Sequence, residues 1–236
     1  MLLAVLVFGD LLFIALHLIH LQTSLLPSDR WSIARDHGYA EIFQYLKYVA
    51  ICLALGNLYL RSRLRVLLGW LAVFAFLLLD DAGRMHERFG LLFAAWTHLP
   101  DIGELRGRDI GELIFALLAG LVVLPLVIFG WLRGAATART VSIDLALFLI
   151  ALAGCGVGAD LIHRMLSLTS MDLFAGVIED GGEMLVLTLT CAYIVQWVTA
   201  QVRFRPAKLL GLRVHNWLLG GEAPGRGGQA ADGIAT

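Results

Sequence analysis

The sequence predicts an all-α, polytopic membrane protein: a bundle of six transmembrane helices. Composition is the first reason. Of 236 residues, 59% are hydrophobic and 16% charged, whereas soluble domains average about 45–50% and about 25%. The second is a mean hydropathy of +0.79. The third is that six apolar stretches reach the roughly 20 residues a helix needs to cross about 30 Å of hydrocarbon. With 18 basic and 19 acidic residues the net charge is -1, which leaves no whole-chain attraction for nucleic acid.

The six stretches run over residues 1–21, 38–60, 66–89, 109–132, 141–163 and 177–200. The first opens Met1-Leu2-Leu3 without a basic region and without a following Ala-x-Ala site, so it reads as a retained anchor rather than a signal peptide. Arg61, Arg63 and Arg65 follow span 2, Arg133 and Arg139 follow span 4, and Arg203, Arg205, Lys208 and Arg213 follow span 6. Positive residues mark cytoplasmic loops, so both termini are expected inside, in a plasma or bacterial inner membrane. The opposite loops carry arginines too, among them Arg30, Arg84, Arg106 and Arg164, each near an acid. Trp70, Trp131 and Trp197 near the inner ends and Trp31 and Trp96 in the outer loops form an aromatic belt. Residues 1–200 thus make the membrane domain. Residues 201–219 mix Leu209, Leu210, Val214 and Trp217 with cations, as in an interfacial amphipathic segment. Residues 220–236 are a Gly- and Ala-rich tail expected to be disordered. Cys52, Cys155 and Cys191 lie inside spans and have no CxxC partner, so they read as packing residues.

Depth sorts the charges. All acids but Asp10, Asp144, Glu222 and Asp232, 15 of the 19, belong to the outer half, and so do six of the seven histidines. Span 1 ends with His17 and His20. Span 2 opens with Asp36, His37 and Glu41, and span 3 ends with Asp80, Asp81, His86 and Glu87. Span 4 opens with Asp109 and Glu112, span 5 ends with Asp160 and His163, and span 6 opens with Glu179, Asp180 and Glu183. At 1.5 Å per residue Asp80 lies about 21 Å into its span, short of the outer hydrocarbon edge. An acid at a span's centre costs about 2.5–3.5 kcal/mol, so these residues must face inward, paired, protonated or bound to cations. The spacings Asp160/His163, Asp180/Glu183, Glu179/Glu183 and Asp80/Glu87 each share a helix face. Asp81 and His86, five apart, do not, which ranks Asp80 above Asp81.

Short strings recur. Residues 101–105 and 109–113 both read DIGEL, 180–184 reads DGGEM, and His17-Leu-Ile-His20 parallels Asp160-Leu-Ile-His163. This reads as three related helical hairpins, with chance recurrence as the alternative.

Asp, Glu and His from several helices are the ligand types of a divalent zinc, iron or manganese site. Asp80, His86, Glu87, Glu112, Asp160, His163, Glu179 and Glu183 are the leading ligand candidates. His17, His20, Glu41, Asp81, Asp109 and Asp180 are secondary ones. Glu112, Asp160-x-x-His163 and Glu183 match in kind the carboxylate-histidine sets of bundle metal sites, although one acid-His pair stands where the soluble pattern has two. The bland alternative is local pairing, Glu87 with Arg84 or Arg88, and Asp160 with Arg164. Asp10 and Lys47, about 16 and 14 Å from the outer ends of their spans, are expected to form an intramembrane ion pair, with a relay as the alternative.

There is no Walker A loop, GxSxG elbow, HExxH or paired HxxxH box, and Arg84 stands where a DDxxD prenyl-diphosphate site has its third acid. The first expectation is a metal-dependent membrane hydrolase or oxidoreductase acting on a lipid-like substrate. The second is a cation- or proton-coupled transporter or channel. A structural or sensory subunit is the third.

Overall fold

A computed structural model describes residues 1–101, 106–134, 136–159 and 172–199. The segments predicted at 201–219 and 220–236 lie outside them, as do Glu104, Asp160 and His163. The described residues form helices and no strands: α1 (Leu2–Gln22), α2 (Tyr39–Ser62), α3 (Val66–Gly83), α4 (Met85–Thr97), α5 (Gly107–Leu132), α6 (Ala136–Ala153) and α7 (Asp172–Thr199). A 3-10 turn covers Asp29–Trp31, and a π-helical turn, Gly154–Ala159, continues α6. Six of these segments are long and apolar enough to cross a membrane.

Predicted span 3 does not run unbroken to residue 89. It ends at Gly83, Arg84 takes left-handed backbone angles (φ 51°, ψ 45°), and α4 starts in a new direction. The cause is local: one Asp80 carboxylate oxygen accepts from the His86 backbone N–H at 2.8 Å, satisfying a donor that the new helix leaves open. Span 5 likewise changes form, because the run Gly154-Cys-Gly-Val-Gly-Ala159 winds as a π turn after Ala153. Span 6 begins five residues earlier than its apolar run, at Asp172, and span 4 at Gly107. Asp109 holds that start, accepting from the Arg106 backbone N–H at 2.9 Å. Asp180, by contrast, lies in the third turn of α7, so the recurring Asp-x-Gly-Glu string does not mark a helix start both times.

α7 is the spine of the bundle, touching α1, α2, α6 and the π turn. α2 also packs on α3, and α3 on α5. The main core joins Tyr48, Ile51, Leu55 and Leu58 of α2 to Leu67, Trp70 and Phe74 of α3 and Leu187 and Ile194 of α7. Polar groups inside it are matched. Trp70 Nε1 donates to Ser142 Oγ at 3.1 Å, and the Tyr193 hydroxyl donates to Asp144, tying α6 to α3 and α7. α1 and α5 bury little of themselves and display Val5, Phe8, Leu11, Leu121, Val122 and Ile128 on the outside.

Two helix crossings depend on missing side chains. A Cβ at Gly69 would meet the Val127 backbone at 2.9 Å, and one at Gly111 would meet Gly90 Cα at 2.8 Å. The neighbour in each case is backbone, which cannot rotate aside. Gly69→Val is therefore expected to lower stability by about 1–3 kcal/mol through overpacking. Thermal unfolding in detergent checks this; an unchanged midpoint would show that α3 and α5 have slack at this crossing.

Candidate functional site

After the break at Arg84, α4 packs against α5, and the acid-bearing ends of α3, α4 and α5 meet there, while α2 joins α3 to α7. The acids collected there divide into two groups with different partners.

The first group is closed by arginines. Arg108 donates from Nε to Glu112 at 2.6 Å and from Nη2 to Glu87 at 2.6 Å, bridging α5 to α4. Arg84 grips the same Glu87, from Nε at 3.0 Å and from Nη2, and reaches Asp36 at 3.0 Å. Glu87 and Glu112 are thus compensated by local pairing of the kind weighed above, with Arg84 and Arg108 as the partners and not Arg88. Burial pushes the Glu87 carboxyl up, but Arg84 and then Arg108 outweigh it and hold the group below its ordinary 4.5.

The second group faces the interior. The Tyr48 hydroxyl, on a side chain only 3% exposed, lies within reach of Asp81 and within the field of Glu183. Tyr45 donates to the Asp81 carbonyl at 3.5 Å. Asp81, Glu179 and Asp180 all act electrostatically on Glu183, with His86 as the opposing charge. Among the described residues neither Asp81 nor Glu183 has a lysine or arginine within ion-pair distance. The π turn makes room for Glu183: a Cβ at Gly156 would overlap its Oε1, and Cys155 Sγ lies against Gly182.

Asp80, ranked above Asp81 on spacing, is turned to the α3–α4 junction instead. Besides the His86 backbone it takes the His86 ring, with Nδ1 3.1 Å from its Oδ1. The face-sharing rule assumed one continuous helix, and the left-handed Arg84 reverses its result. That contact lifts the His86 imidazole above its ordinary 6.5 against the opposing effect of burial.

The remaining candidates hold loops and helix starts. His17 Nδ1 accepts from the Ile33 N–H at 3.4 Å, His20 Nδ1 meets the Leu26 carbonyl at 2.6 Å, and Glu41 accepts from the His37 N–H at the start of α2. Among the described residues no three His, Cys, Asp or Glu side chains gather closely enough to hold a metal ion. Asp160 and His163, two of the leading candidates, lie outside that set.

With this geometry in view, one comparison is positive: the family described as Domain of unknown function (DUF8692) matches residues 5–197. The chain belongs to this family. The match takes in residues of all six long apolar helices, so the break at Arg84, the π turn and the two acid groups are all within the family domain. No curated protein and no solved structure matches the chain.

Spacing alone missed Tyr45 and Tyr48. The signal was present, since Glu41, Tyr45 and Tyr48 recur at i, i+4 and i+7 and so share one face of α2. Thr188 and Gly156 offered no such pattern.

The two shifts outside the long apolar helices predict opposite pH dependences. His86 is raised, so its contribution to stability is complete below 6.5 and is lost as pH climbs through the raised value. Glu87 is lowered, so its contribution is complete above 4.5 and is lost as pH falls through the lowered value. In melting curves recorded across pH, His86→Gln is expected to flatten the alkaline flank of the stability profile and Glu87→Gln the acid flank. Flanks unchanged from wild type would remove both assignments.

Proposed function

We propose that this family member is a multi-pass membrane protein that binds and releases a proton at the Asp81–Glu183 pair, a site of the kind used in proton-coupled transport. The membrane assignment is supported by six long apolar helices whose exposed faces are leucine, valine, isoleucine and phenylalanine. The Lys and Arg distribution supports cytoplasmic termini in a plasma or bacterial inner membrane.

One observation carries the site assignment. Asp81 of α3 and Glu183 of α7 lie within each other's electrostatic influence beside the buried Tyr48, and among the described residues no arginine or lysine stands within ion-pair distance of either, whereas Glu87 and Glu112 are paired with arginines. Two like charges in such a place share a proton or a cation rather than stand uncompensated. Two carboxylates and a phenol suffice to hold a proton. A divalent metal asks for more ligands than the described residues bring together.

A divalent-metal enzyme acting on a lipid is the second reading, and one observation favours it. The π turn that packs Gly156 against Glu183 ends at Ala159, next in sequence to Asp160-x-x-His163. Stoichiometric zinc, iron or manganese in purified protein, lost in His163→Ala, would put that reading ahead.

The proton site is tested by infrared difference spectra of the protein in lipid, recorded between acid and neutral pH. Wild type is expected to show a protonated-carboxyl band that disappears or shifts in both Asp81→Asn and Glu183→Gln. Spectra of both variants identical to wild type would overturn the assignment.

A further inference from the structure

α4 has two unlike faces. One is fastened to α5: Gly90 sits against Gly111, and the Phe89 ring centroid lies 5.3 Å from that of Phe115. Glu87 is held by Arg84 and Arg108. The opposite face carries Arg88, Leu91, Leu92 and Trp96, whose spacing of three and four residues puts them on one side of the helix. Leu91 is 53% exposed, Leu92 72% and Trp96 80%, and Arg88 is exposed beside them. Among the described residues no carboxylate pairs with Arg88.

The register of α3, α4 and α5 sets the depth of this face. Val66 packs against Gly130, next to Arg65 and one turn before Arg133, so that contact marks one edge of the apolar layer. At 1.5 Å per residue Gly111 lies about 28 Å along α5 from Gly130, close to the roughly 30 Å thickness of hydrocarbon. The Gly90–Gly111 crossing therefore stands at the opposite edge. α4 runs outward from there, because Leu99 meets Gly107, which precedes Gly111 on α5. From Gly90 to Leu99, nine residues, the contact on α5 shifts only from Gly111 to Gly107, four residues, so α4 slants across the first turns of α5. Leu91, Leu92 and Trp96 come out in the head-group layer, where tryptophan concentrates.

We propose that this face of α4 is a docking site for a phospholipid of the leaflet at the acid-rich end, with the Arg88 guanidinium on the phosphate and Leu91, Leu92 and Trp96 against the adjoining glycerol and upper acyl chains. The inference rests on the reading of the long apolar helices as membrane spans and is independent of the proton site. Charge decides the occupant. The neighbouring guanidiniums of Arg84 and Arg108 are committed to Asp36, Glu87 and Glu112, whereas that of Arg88 is open to an anion from outside. A guanidinium takes a phosphate through two parallel N–H···O bonds, and its apolar stem can lie along the membrane while the charged head reaches the phosphate level. Water would leave Leu92 and Trp96 almost bare. A phospholipid supplies anion and hydrocarbon together, from the same bilayer that covers the exposed Leu117 and Leu121 of α5.

Fluorescence quenching tests the depth. The protein is reconstituted in phosphatidylglycerol vesicles with or without bromine on the upper acyl carbons, and the Trp96 signal is taken as wild type minus Trp96→Phe. That signal is expected to be quenched by the brominated lipid and to resist acrylamide in the water. Quenching by acrylamide and not by brominated lipid would overturn the docking site. If the tryptophans left in Trp96→Phe are still quenched by brominated lipid, the membrane reading stands without it; if they are not, both fall. Native mass spectrometry of detergent-purified protein titrated with phosphatidylglycerol tests the phosphate contact. Arg88→Gln is expected to weaken binding of the first lipid about tenfold, and Arg88→Lys to weaken it less. Equal affinity in wild type and Arg88→Gln would overturn the site. Both positions are exposed, so neither substitution removes a core contact.

Discussion

Asp10 and Lys47 meet 2.5 Å apart with almost no exposure, and breaking a pair buried that deeply by removing one member costs about 3–5 kcal/mol. That requirement organises much of what surrounds them. α1 buries little of its own surface, so the Asp10 contacts with Lys47 and Thr188 are among the few specific bonds that set its depth and rotation on α7. α7 must present the Met184 carbonyl and the Thr188 hydroxyl four residues apart, one turn of one face. α2 must place Phe43 one turn from Lys47, where the ring covers the ammonium group.

Compensation of charge also explains the division at the acid-rich end. The carboxylates nearest the loops, Glu87 and Glu112, meet arginines that can be recruited from the aqueous side. Asp81 and Glu183, in the long apolar helices, lie instead within the electrostatic influence of each other and of the buried Tyr48. An arginine is a costly neighbour there, and a phenol hydroxyl stabilises a carboxylate without bringing a second charge that must itself be paired.

Much of this was legible in the residues. Span number follows from apolar length, and the mid-span charges Asp10 and Lys47 identify each other because each is untenable alone. The layer of acids at one end needed only the alternation of spans. Partner choice within that layer was less legible, for two physical reasons. Face-sharing arithmetic holds only along an unbroken helix, and the left-handed turn at Arg84 sets Asp80 onto His86 and leaves Asp81 to the interior. Arginine reach is also long: Arg108 links Glu87 and Glu112 across two helices, a pairing that no spacing within one helix encodes. The recurring Asp-x-Gly-Glu string shows the same limit, since identical residues hold a helix start at Asp109 and lie well inside α7 at Asp180.

The π turn at Gly154–Ala159 has a consequence for how α6 tolerates change in length. A π turn holds one residue more than the α-helical turn it replaces. Losing that residue would restore regular α-helical winding through Gly154–Ala159 and move the remaining residues of the turn to new angular positions. The lower part of α6, anchored through Ser142 and Asp144, would keep its place. Gly156 would swing away from Glu183. A single-residue deletion in this turn would thus disturb the contact with Glu183 while the packing of Ala136–Ala153 stays in place.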